Sequence, residues 1–476
     1  MKKTSILKTK KKTSQQLTIP STDSNLPPKT IFLGRNQELQ KIERAFVKEG
    51  ISRFTITGIE GQGKTSLAIQ AGQRLYHSGK FKKICFVDYA AYSKLDAVDL
   101  AIKTLETLVE SNLINVATTI DTLQCEVPTL LILDSLDNIP TDQLQKLLDA
   151  AAQWSEVNKC QVLLTSQVTD FKHSAFPIDN KSTHRILPLS RLAQEDALAY
   201  FQYLWEQPPA SQMITPNKTE LLNLFKQIDF HPLSIGLLAI PLKTFNPAVV
   251  EKRLVALLER IPDNPLAALL KLALEDLITE IQLDGILYWL AKSFKRKTTK
   301  TLRIKNKTLH LLPRLGVFQG GVFEPDLLEI TDFKPEQWRL LRSTLERTGL
   351  ISTEILPNFR VPYIKFHPTL APILWASFSS IKEQKRVFSD YQQRYAQLVA
   401  YMSYEEGNDT IQVHTLLRKD LSNLLYAVHS ALDAEESWAV QFAKNVKLFL
   451  GIFGFHRDNA ILNQRVKQAE DKRNIT

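Results

Sequence analysis

Apolar residues along the chain follow two patterns, and the first gives way to the second near residue 190. Runs that are almost continuously apolar, without alternation, are typical of strands buried on both faces, as in a parallel sheet covered by helices. Five such runs occur, at Phe54–Thr57, Lys83–Ala90, Thr129–Leu136, Cys160–Gln167 and His184–Leu189. The pattern predicts an α/β domain over residues 29–190 with a five-stranded parallel sheet.

Beyond residue 190 apolar residues recur three and four positions apart, which predicts helices. We expect a helical domain over residues 191–275 and an all-helical region over residues 379–476. Residues 276–378 are mixed, with a helix around Glu336–Arg347 followed by a short hairpin that ends at Phe366, the plan of a winged helix. The last region shows about two helix pairs, whereas solenoids usually need at least three repeats. We therefore expect it to be truncated or completed by a partner.

The first predicted strand leads into a glycine-rich turn and then into a helix. Residues 58–65 fit G-x-x-x-x-G-K-[ST], in which backbone N–H groups hold phosphates at a helix N-terminus. Gly58, Gly61 and Gly63 let the backbone curl closely, since they lack a Cβ. Lys64 is expected to reach the β- and γ-phosphates, and the Thr65 hydroxyl to coordinate Mg²⁺. The alternative is a glycine-rich turn with an unrelated lysine, but the flanking strand and helix favour a phosphate-binding loop.

Polar side chains end the third and fourth predicted strands. Asp134 is expected to hold Mg²⁺ through water, and Asp137 to orient an attacking water. Aspartates at strand ends also serve turns, which is the alternative. Thr165, together with Ser166 and Gln167, ends the fourth strand, where a γ-phosphate would lie; a plain turn is again the alternative.

Composition is that of a globular protein, with 44% apolar and 23% charged residues. The chain contains neither an apolar run of about 20 residues nor the apolar core of a signal peptide, so we expect a cytoplasmic protein without a membrane segment. Cys85, Cys125 and Cys160 are far apart and show no metal-binding spacing, which favours buried thiols in a reducing compartment.

The net charge of +10 is concentrated in two segments. Residues 2–12 carry six lysines and residues 292–307 carry eight lysines and arginines, so removing these fourteen charges leaves −4. Residues 1–28 are too polar to form a core and are predicted to be a disordered basic tail. Both segments are compatible with contacts to nucleic acid, but solvated segments without such contacts are the favoured interpretation.

The motifs occur in an order that resembles STAND-type signal-transduction ATPases of the NB-ARC group, over residues 30–375. The resemblance rests on Phe32–Arg35 with Glu38–Leu39, the loop at 58–65, LLILDSLD at 130–137, LLTSQ at 163–167, Leu187–Ser190 with Glu195–Ala197, and His231–Leu233. LLPRLGVFQGG at 311–321 and FHPTLAPIL at 366–374 are similar to the winged helix of bacterial members whose C-terminal region is tetratricopeptide-like.

The resemblance implies an adenine-nucleotide site that takes ATP or ADP with Mg²⁺. The residues it places there are Leu33, Gly34 and Arg35 near the adenine, Gly58 to Ser66, including Gln62, around the phosphates, Pro232 against the base, and His367 on the β-phosphate of ADP. For Pro232 the alternative is a proline that simply begins a helix. For His367 it is a packing histidine after a strand.

The function that the resemblance implies is a nucleotide-operated signalling switch, closed with ADP and prone to form homo-oligomers with ATP. Protein partners are expected at the C-terminal helices. Gln167 stands where many relatives carry an arginine that senses the γ-phosphate, so we expect at most a slow ATPase. Pro232 follows a histidine instead of the more usual glycine-plus-residue pair. The alternatives are an ATP-dependent winged-helix transcription regulator and a simple ATPase; a guanine site is disfavoured because Asn180-Lys181 lacks the Asp two places on.

Overall fold

The structure is a computed structural model, and it describes most of the chain. The described residues are 23–27, 32–92, 94–109, 127–156, 159–178, 183–206, 216–243, 245–260, 265–266, 268–273, 310–347, 349–356, 359, 361–405 and 410–475. The lysines of residues 2–12, Cys125, the Asn180-Lys181 pair and the basic run at 292–307 lie outside these ranges.

Five parallel strands form the sheet of the N-terminal α/β domain. They are β1 Arg53–Thr57, β2 Lys83–Asp88, β3 Thr129–Asp134, β4 Cys160–Ser166 and β5 His184–Pro188. Their order across the sheet is β2-β3-β4-β1-β5, with every neighbouring pair parallel. The predicted fold class is thereby confirmed: a five-stranded parallel sheet in an α/β P-loop domain, followed by a largely helical region.

Helices cover both faces of this sheet, which explains the continuous apolar runs. Their bounds are α1 Asn36–Val47, α2 Lys64–His77, α3 Ala97–Val109 and α4 Thr141–Glu156. Successive strand residues point to opposite faces: Leu130 and Ile132 pack with α1 and α2, whereas Leu131 and Leu133 pack with α3 and α4. All six residues of β3 are therefore buried.

A group of helices follows the sheet, as predicted from the spacing. It comprises α5 Gln194–Glu206, α6 Lys218–Gln227, α7 Pro232–Leu242 and α8 Pro247–Arg260. Every residue of α7 from Leu233 to Leu242 is buried, so this helix forms the centre of the group. Its first residue, Pro232, fits the first helical position, where no N–H is needed. The residues on either side of it, His231 and Leu233, contact the α/β domain.

A small antiparallel sheet comes next. Its strands are β6 Gly321–Phe323, β7 Ile351–Ile355 and β8 Pro362–Phe366, in the order β6-β8-β7. The strands β7 and β8 form the predicted hairpin, while β6 is a third strand that the pattern did not indicate. A 3-10 turn and three helices accompany the sheet, namely Leu312–Val317, α9 Glu324–Thr331, α10 Pro335–Arg347 and α11 Leu370–Ala376.

Five helices form the C-terminal part of the described chain. They are α12 Ile381–Glu405, α13 Thr410–Lys419, α14 Leu421–Asp433, α15 Ala439–Phe453 and α16 His456–Ile475. They contact the α/β domain directly: Ser422 Oγ donates to the Ala91 carbonyl at 2.7 Å, and Arg457 Nη1 lies 2.9 Å from Asp96 Oδ1. Among the described residues, none of the helices has the length and apolar character needed to cross a bilayer.

Candidate functional site

The turn between β1 and α2 has the curled backbone that the motif predicts. Gly61 and Gly63 adopt left-handed conformations, with φ of 77° and 93°, which favour glycine. Gly61 is also crowded, since a Cβ there would lie 2.7 Å from His231 Cε1. The loop is therefore fixed both by its own glycines and by contact with the helical group.

The Lys64 amine lies inside this loop. Its Nζ donates to the carbonyl oxygens of Gly58 at 2.8 Å and Ile59 at 3.0 Å. Burial lowers the pKa of Lys64, while the nearby carboxylates of Asp137, Asp134 and Glu60 act in the opposite direction. The hydrogen-bond partners of this buried cation are neutral carbonyls, so an anionic ligand would give it a charged partner at contact distance.

Asp134 is the last residue of β3, and its carboxylate accepts hydrogen bonds from hydroxyl groups of α2 and β4. Both of its carboxylate oxygens accept from Thr65 Oγ1 at 2.9 Å, and Oδ1 accepts from Thr165 Oγ1 at 2.6 Å. Strand β4 separates β3 from β1, so Thr165 lies between the carboxylate and the P-loop strand. Burial, and secondarily the charge of Asp88, raise the pKa of Asp134 to about 6. A cation at this carboxylate would reverse that shift.

Asp137 lies on the 3-10 turn that follows β3, and its carboxylate is exposed. Its Oδ1 accepts from Ser166 Oγ at 2.8 Å and from the Gln167 backbone N–H at 2.6 Å. These two bonds fix Asp137 at the carboxyl edge of the sheet, beside Glu60 and Lys64 of the P-loop. Ser166 was expected at the phosphate edge from the sequence. In the structure its hydroxyl group donates to Asp137 and helps to fix that side chain.

The loop before α1 reaches the P-loop through Arg35. This residue has a φ of 60° and is 7% exposed; its Nη2 lies 3.4 Å from the Gln62 carbonyl and its Nη1 3.2 Å from Glu38 Oε1. Gly34 packs against Asp196 of α5, which a Cβ at Gly34 would approach to 2.7 Å. Leu33 is 36% exposed. The structure therefore brings this loop beside the P-loop.

The start of α7 contacts the P-loop through His231, a residue that sequence reasoning did not place in the site. Its Nε2 lies 2.8 Å from the Glu60 carbonyl, and its Nδ1 lies 2.8 Å from Ser234 Oγ. Glu60 O can only accept, so Nε2 carries the proton and Nδ1 accepts from Ser234. Burial lowers the pKa of His231 and keeps the ring neutral. Its place immediately before a helix-starting proline was the available signal, since residues at that position cap helices.

Strand β8 presents two basic side chains to the α/β domain. Lys365 pairs with Asp88 at the end of β2. His367 follows two residues later, and its Nδ1 lies 2.7 Å from Thr369 Oγ1. Burial, and then the charges of His231, Lys64 and Lys365, lower the pKa of His367 to about 4. His367 is therefore close enough to His231 and Lys64 to feel their charges, and its contact with a β-phosphate stays a prediction. The contact of Lys365 with Asp88 was not predicted.

A cavity of about 260 Å³ adjoins His367 between the two domains. Ala90 and Asn138 of the α/β domain line one side of it, and Phe318 and Trp375 line the other. The end of β8 therefore meets the carboxyl edge of the large sheet directly at Lys365 and Asp88, and across this cavity at His367.

The residues at this edge fit a nucleotide with a divalent cation. Thr57 Oγ1 and Gln62 Oε1, next to and within the P-loop, are buried and have no hydrogen-bond partner among the described residues. The Thr65 hydroxyl and the Asp134 carboxylate are hard oxygen donors of the kind that Mg²⁺ uses. The described ranges contain no group of three or more His, Cys, Asp or Glu that could hold a metal unaided. This donor set suits Mg²⁺, which takes one or two protein ligands together with phosphate oxygens and water.

Comparison with known proteins adds a family assignment for one part of the chain. No curated protein matches. Among solved structures, PCH-2 from C. elegans is 14% identical over 51% of this chain and 68% of its own, with a TM-score of 0.30. The Aeropyrum pernix ORC1 protein in complex with DNA is 13% identical over 73% of this chain and 93% of its own, also with a TM-score of 0.30. At that score neither likeness bears on the function of this chain.

The family match coincides with the P-loop, β1 to β5 and α5. Residues 52–207 match the family described as NACHT domain. The coarser part of the predicted resemblance, a STAND-class nucleotide-binding P-loop NTPase, is thereby confirmed. Membership of the NB-ARC group, the winged helix and the tetratricopeptide-like region stay predictions. Residues 52–207 of this chain are thus similar to NACHT domains, which are P-loop NTPase domains of the STAND class.

Proposed function

We propose that the protein is a signalling switch operated by ADP and ATP. The observation that carries the proposal is the ion pair of Lys365 with Asp88, which joins the small antiparallel sheet to the carboxyl edge of the P-loop domain. His367, two residues further on, is close enough to Lys64 for that charge to lower its pKa. A ligand at that edge is therefore also close to the side chains of a second domain. Its identity can change how the two domains sit together.

The phosphates would be held by the Gly58–Ser66 loop at the start of α2. Backbone N–H groups and the helix N-terminus favour negative charge there, and Lys64 would exchange its carbonyl contacts for phosphate oxygens. Thr65 and Asp134 would hold Mg²⁺, which would supply positive charge to neutralise the phosphates. The proposed neighbours of the adenine are Arg35, which contacts the Gln62 carbonyl, and Pro232, which follows the loop-contacting His231.

Two nucleotides can drive a change of shape only if each binds one shape better than the other. ADP would favour the closed arrangement, in which His367 lies on the P-loop side and contacts its β-phosphate. ATP with Mg²⁺ would favour an open arrangement and expose surfaces for self-association. The C-terminal helices contact the α/β domain through Ser422 and Arg457, so a partner bound to them could release the same closed form.

Hydrolysis would be slow. Asp137 is the candidate for orienting the attacking water, and Ser166 and the Gln167 N–H fix its position. The side chain at 167 is a neutral amide, so it adds no positive charge to stabilise a transferring phosphoryl group. A slow rate suits a switch, because the bound nucleotide must persist long enough to report a signal.

The test begins with the nucleotide that the full chain retains on purification, identified by mass spectrometry. We expect ADP or ATP in the wild-type protein and in Lys82→Ala, a control at an exposed lysine, and none in Lys64→Ala. Light scattering with ADP and with a non-hydrolysable ATP analogue would then compare assembly. Equal retention by Lys64→Ala, or the same mass with both nucleotides, would contradict the proposal.

A further inference from the structure

Two aspartates lie side by side at the carboxyl edge of the large sheet. Asp88 and Asp134 are register partners on the parallel strands β2 and β3, which run about 4.8 Å apart. Asp134 is 2% exposed, and the Asp88 side chain is 11% exposed. Two carboxylates this close in a poorly solvated position require positive charge nearby.

The nearby positive charge comes from the other domain. One oxygen of Asp88 accepts from the backbone N–H groups of Ala90 and Ala91 at 3.0 and 3.1 Å, and the other pairs with Lys365 Nζ. Lys365 is also drawn towards Asp134 electrostatically. The positive charge of Lys365 therefore stabilises both carboxylates.

The segment after Asp88 is the surface on which the small sheet docks. Gly320, next to β6, approaches so closely that a Cβ there would lie 2.7 Å from Ala91 Cα. Ser422 donates to the Ala91 carbonyl. The Lys365 ion pair thus lies at a close-packed contact, where a change of charge affects the docking of two neighbouring elements.

We propose that Lys365 and the divalent cation compete electrostatically for this carboxylate pair. Metal binding at Thr65 and Asp134 then loosens the Lys365–Asp88 contact. The inference rests on the proposed function, since it assigns to one residue the link between Mg²⁺ and domain opening. With Lys365 alone the two carboxylates and the lysine sum to −1. A divalent cation changes the sum to +1, and the lysine is then repelled by its neighbour.

Linkage requires the effect to be mutual. If Mg²⁺ lowers the population of the closed form by some factor, the closed form must bind Mg²⁺ more weakly by that same factor. An uncharged side chain at 365 should therefore weaken docking and tighten Mg²⁺ binding together. A residue that merely packs at the interface would weaken docking without any effect on the metal.

The experiment uses the full chain with ADP, once in EDTA and once in a Mg²⁺ titration. Hydrogen exchange of peptides covering residues 86–92 and 362–366 reports docking, and calorimetry reports the Mg²⁺ affinity. In the wild type we expect saturating Mg²⁺ to speed exchange about tenfold, a usual size for coupling between sites. In Lys365→Met we expect fast exchange already in EDTA and an Mg²⁺ affinity raised about tenfold. Lys365→Arg, which keeps the charge, should resemble the wild type.

Lys419→Met is the matched control. Lys419 lies near Lys365, but its amine pairs with Glu354 of β7 and sits over the Tyr363 ring, both in the small antiparallel sheet. This variant should keep the Mg²⁺ response. The inference is overturned if Lys365→Met keeps the wild-type Mg²⁺ response, or if wild-type exchange does not respond to Mg²⁺ although ADP binds. Failure of the wild type to bind ADP both in EDTA and with Mg²⁺ would instead overturn the proposed function.

Discussion

Replacing His231 tests whether the helical group holds the P-loop in shape. The neutral ring makes two separate contributions: Nε2–H donates to the Glu60 carbonyl of the loop, and Nδ1 accepts from Ser234 as the cap of α7. His231→Asn separates them, because asparagine is a favoured cap but is too short to reach Glu60. His231→Ala removes both.

The expected sizes follow from the contacts. A neutral hydrogen bond contributes about 1 kcal/mol net, so His231→Asn should weaken the loop by that amount and the affinity for ADP by about fivefold. His231→Ala also loses the cap, about 1 kcal/mol, and leaves a void next to Gly61. We expect the free energy of unfolding to fall by about 2 to 3 kcal/mol in that variant.

The same contact predicts a dependence on pH. Burial lowers the pKa of His231 below its ordinary value of 6.5, so the unfolded chain binds a proton more readily than the folded one. The stability contributed by the neutral ring is therefore complete above about pH 6.5 and is lost as the pH falls from there towards the folded-state pKa. A proton on Nδ1 would end its role as acceptor from Ser234.

Urea unfolding, hydrogen exchange of residues 58–63 and ADP calorimetry would measure these effects at pH 7.5 and 5.5. The wild type should lose loop protection at the lower pH, and His231→Asn should lack this His231-linked change. Wild-type loop protection and ADP affinity in His231→Asn would refute the view that this histidine positions the P-loop.

Three further predictions concern separate parts of the chain. His367→Ala should release ADP at least about fivefold faster in stopped-flow displacement, because one contact with the nucleotide is lost. His77→Ala, on the exposed face of α2, is the control and should leave the rate unchanged. An unchanged rate in His367→Ala would show that His367 is not part of the site. Gln167→Arg should raise steady-state ATP hydrolysis at least about tenfold, and Gln167→Lys less, because arginine presents a planar fork to phosphate; equal rates would argue against a missing charge at this position. His184 is fully buried and burial lowers its pKa to about 4, so up to about 3 kcal/mol of stability should be lost between pH 6.5 and 4; acid titration of His184→Gln should show a shallower loss.

Much of the α/β domain follows from local pattern. All five strands occur where the apolar runs predicted them, and Leu39, Ile42 and Phe46 of α1 are fully buried, as their spacing indicated. The strands β2 to β5 end one or two residues before their predicted ends, whereas β1 ends at Thr57 as predicted. Local polar and backbone geometry ends these strands earlier. After β2, the Asp88 carboxylate accepts hydrogen bonds from the N–H groups of Ala90 and Ala91. After β3, Ser135 adopts a left-handed conformation.

Contacts between distant segments could not be predicted in this way. Strand β6 has only three residues, of which the first is a glycine, and this is too few to show a period. Asp88 and Lys365 are 277 positions apart, and His231 and Glu60 are 171 apart. The spacing of apolar residues carries no information on such a pair, because each partner alone resembles an ordinary polar residue at the end of a strand or helix.

These distant contacts explain how a phosphate-binding loop can report to the rest of the chain. A P-loop by itself needs only its glycines, Lys64 and Thr65 to bind a nucleotide. Here Arg35 and His231 hold carbonyl groups of that loop from two other segments, and Lys365 pairs with a carboxylate beside Asp134. A ligand that moves the loop or changes the charge at Asp134 must alter at least one of these contacts, and each belongs to a different element. Coupling of nucleotide identity to domain arrangement is therefore expected from where the contacts lie, without any separate relay between the site and the surface.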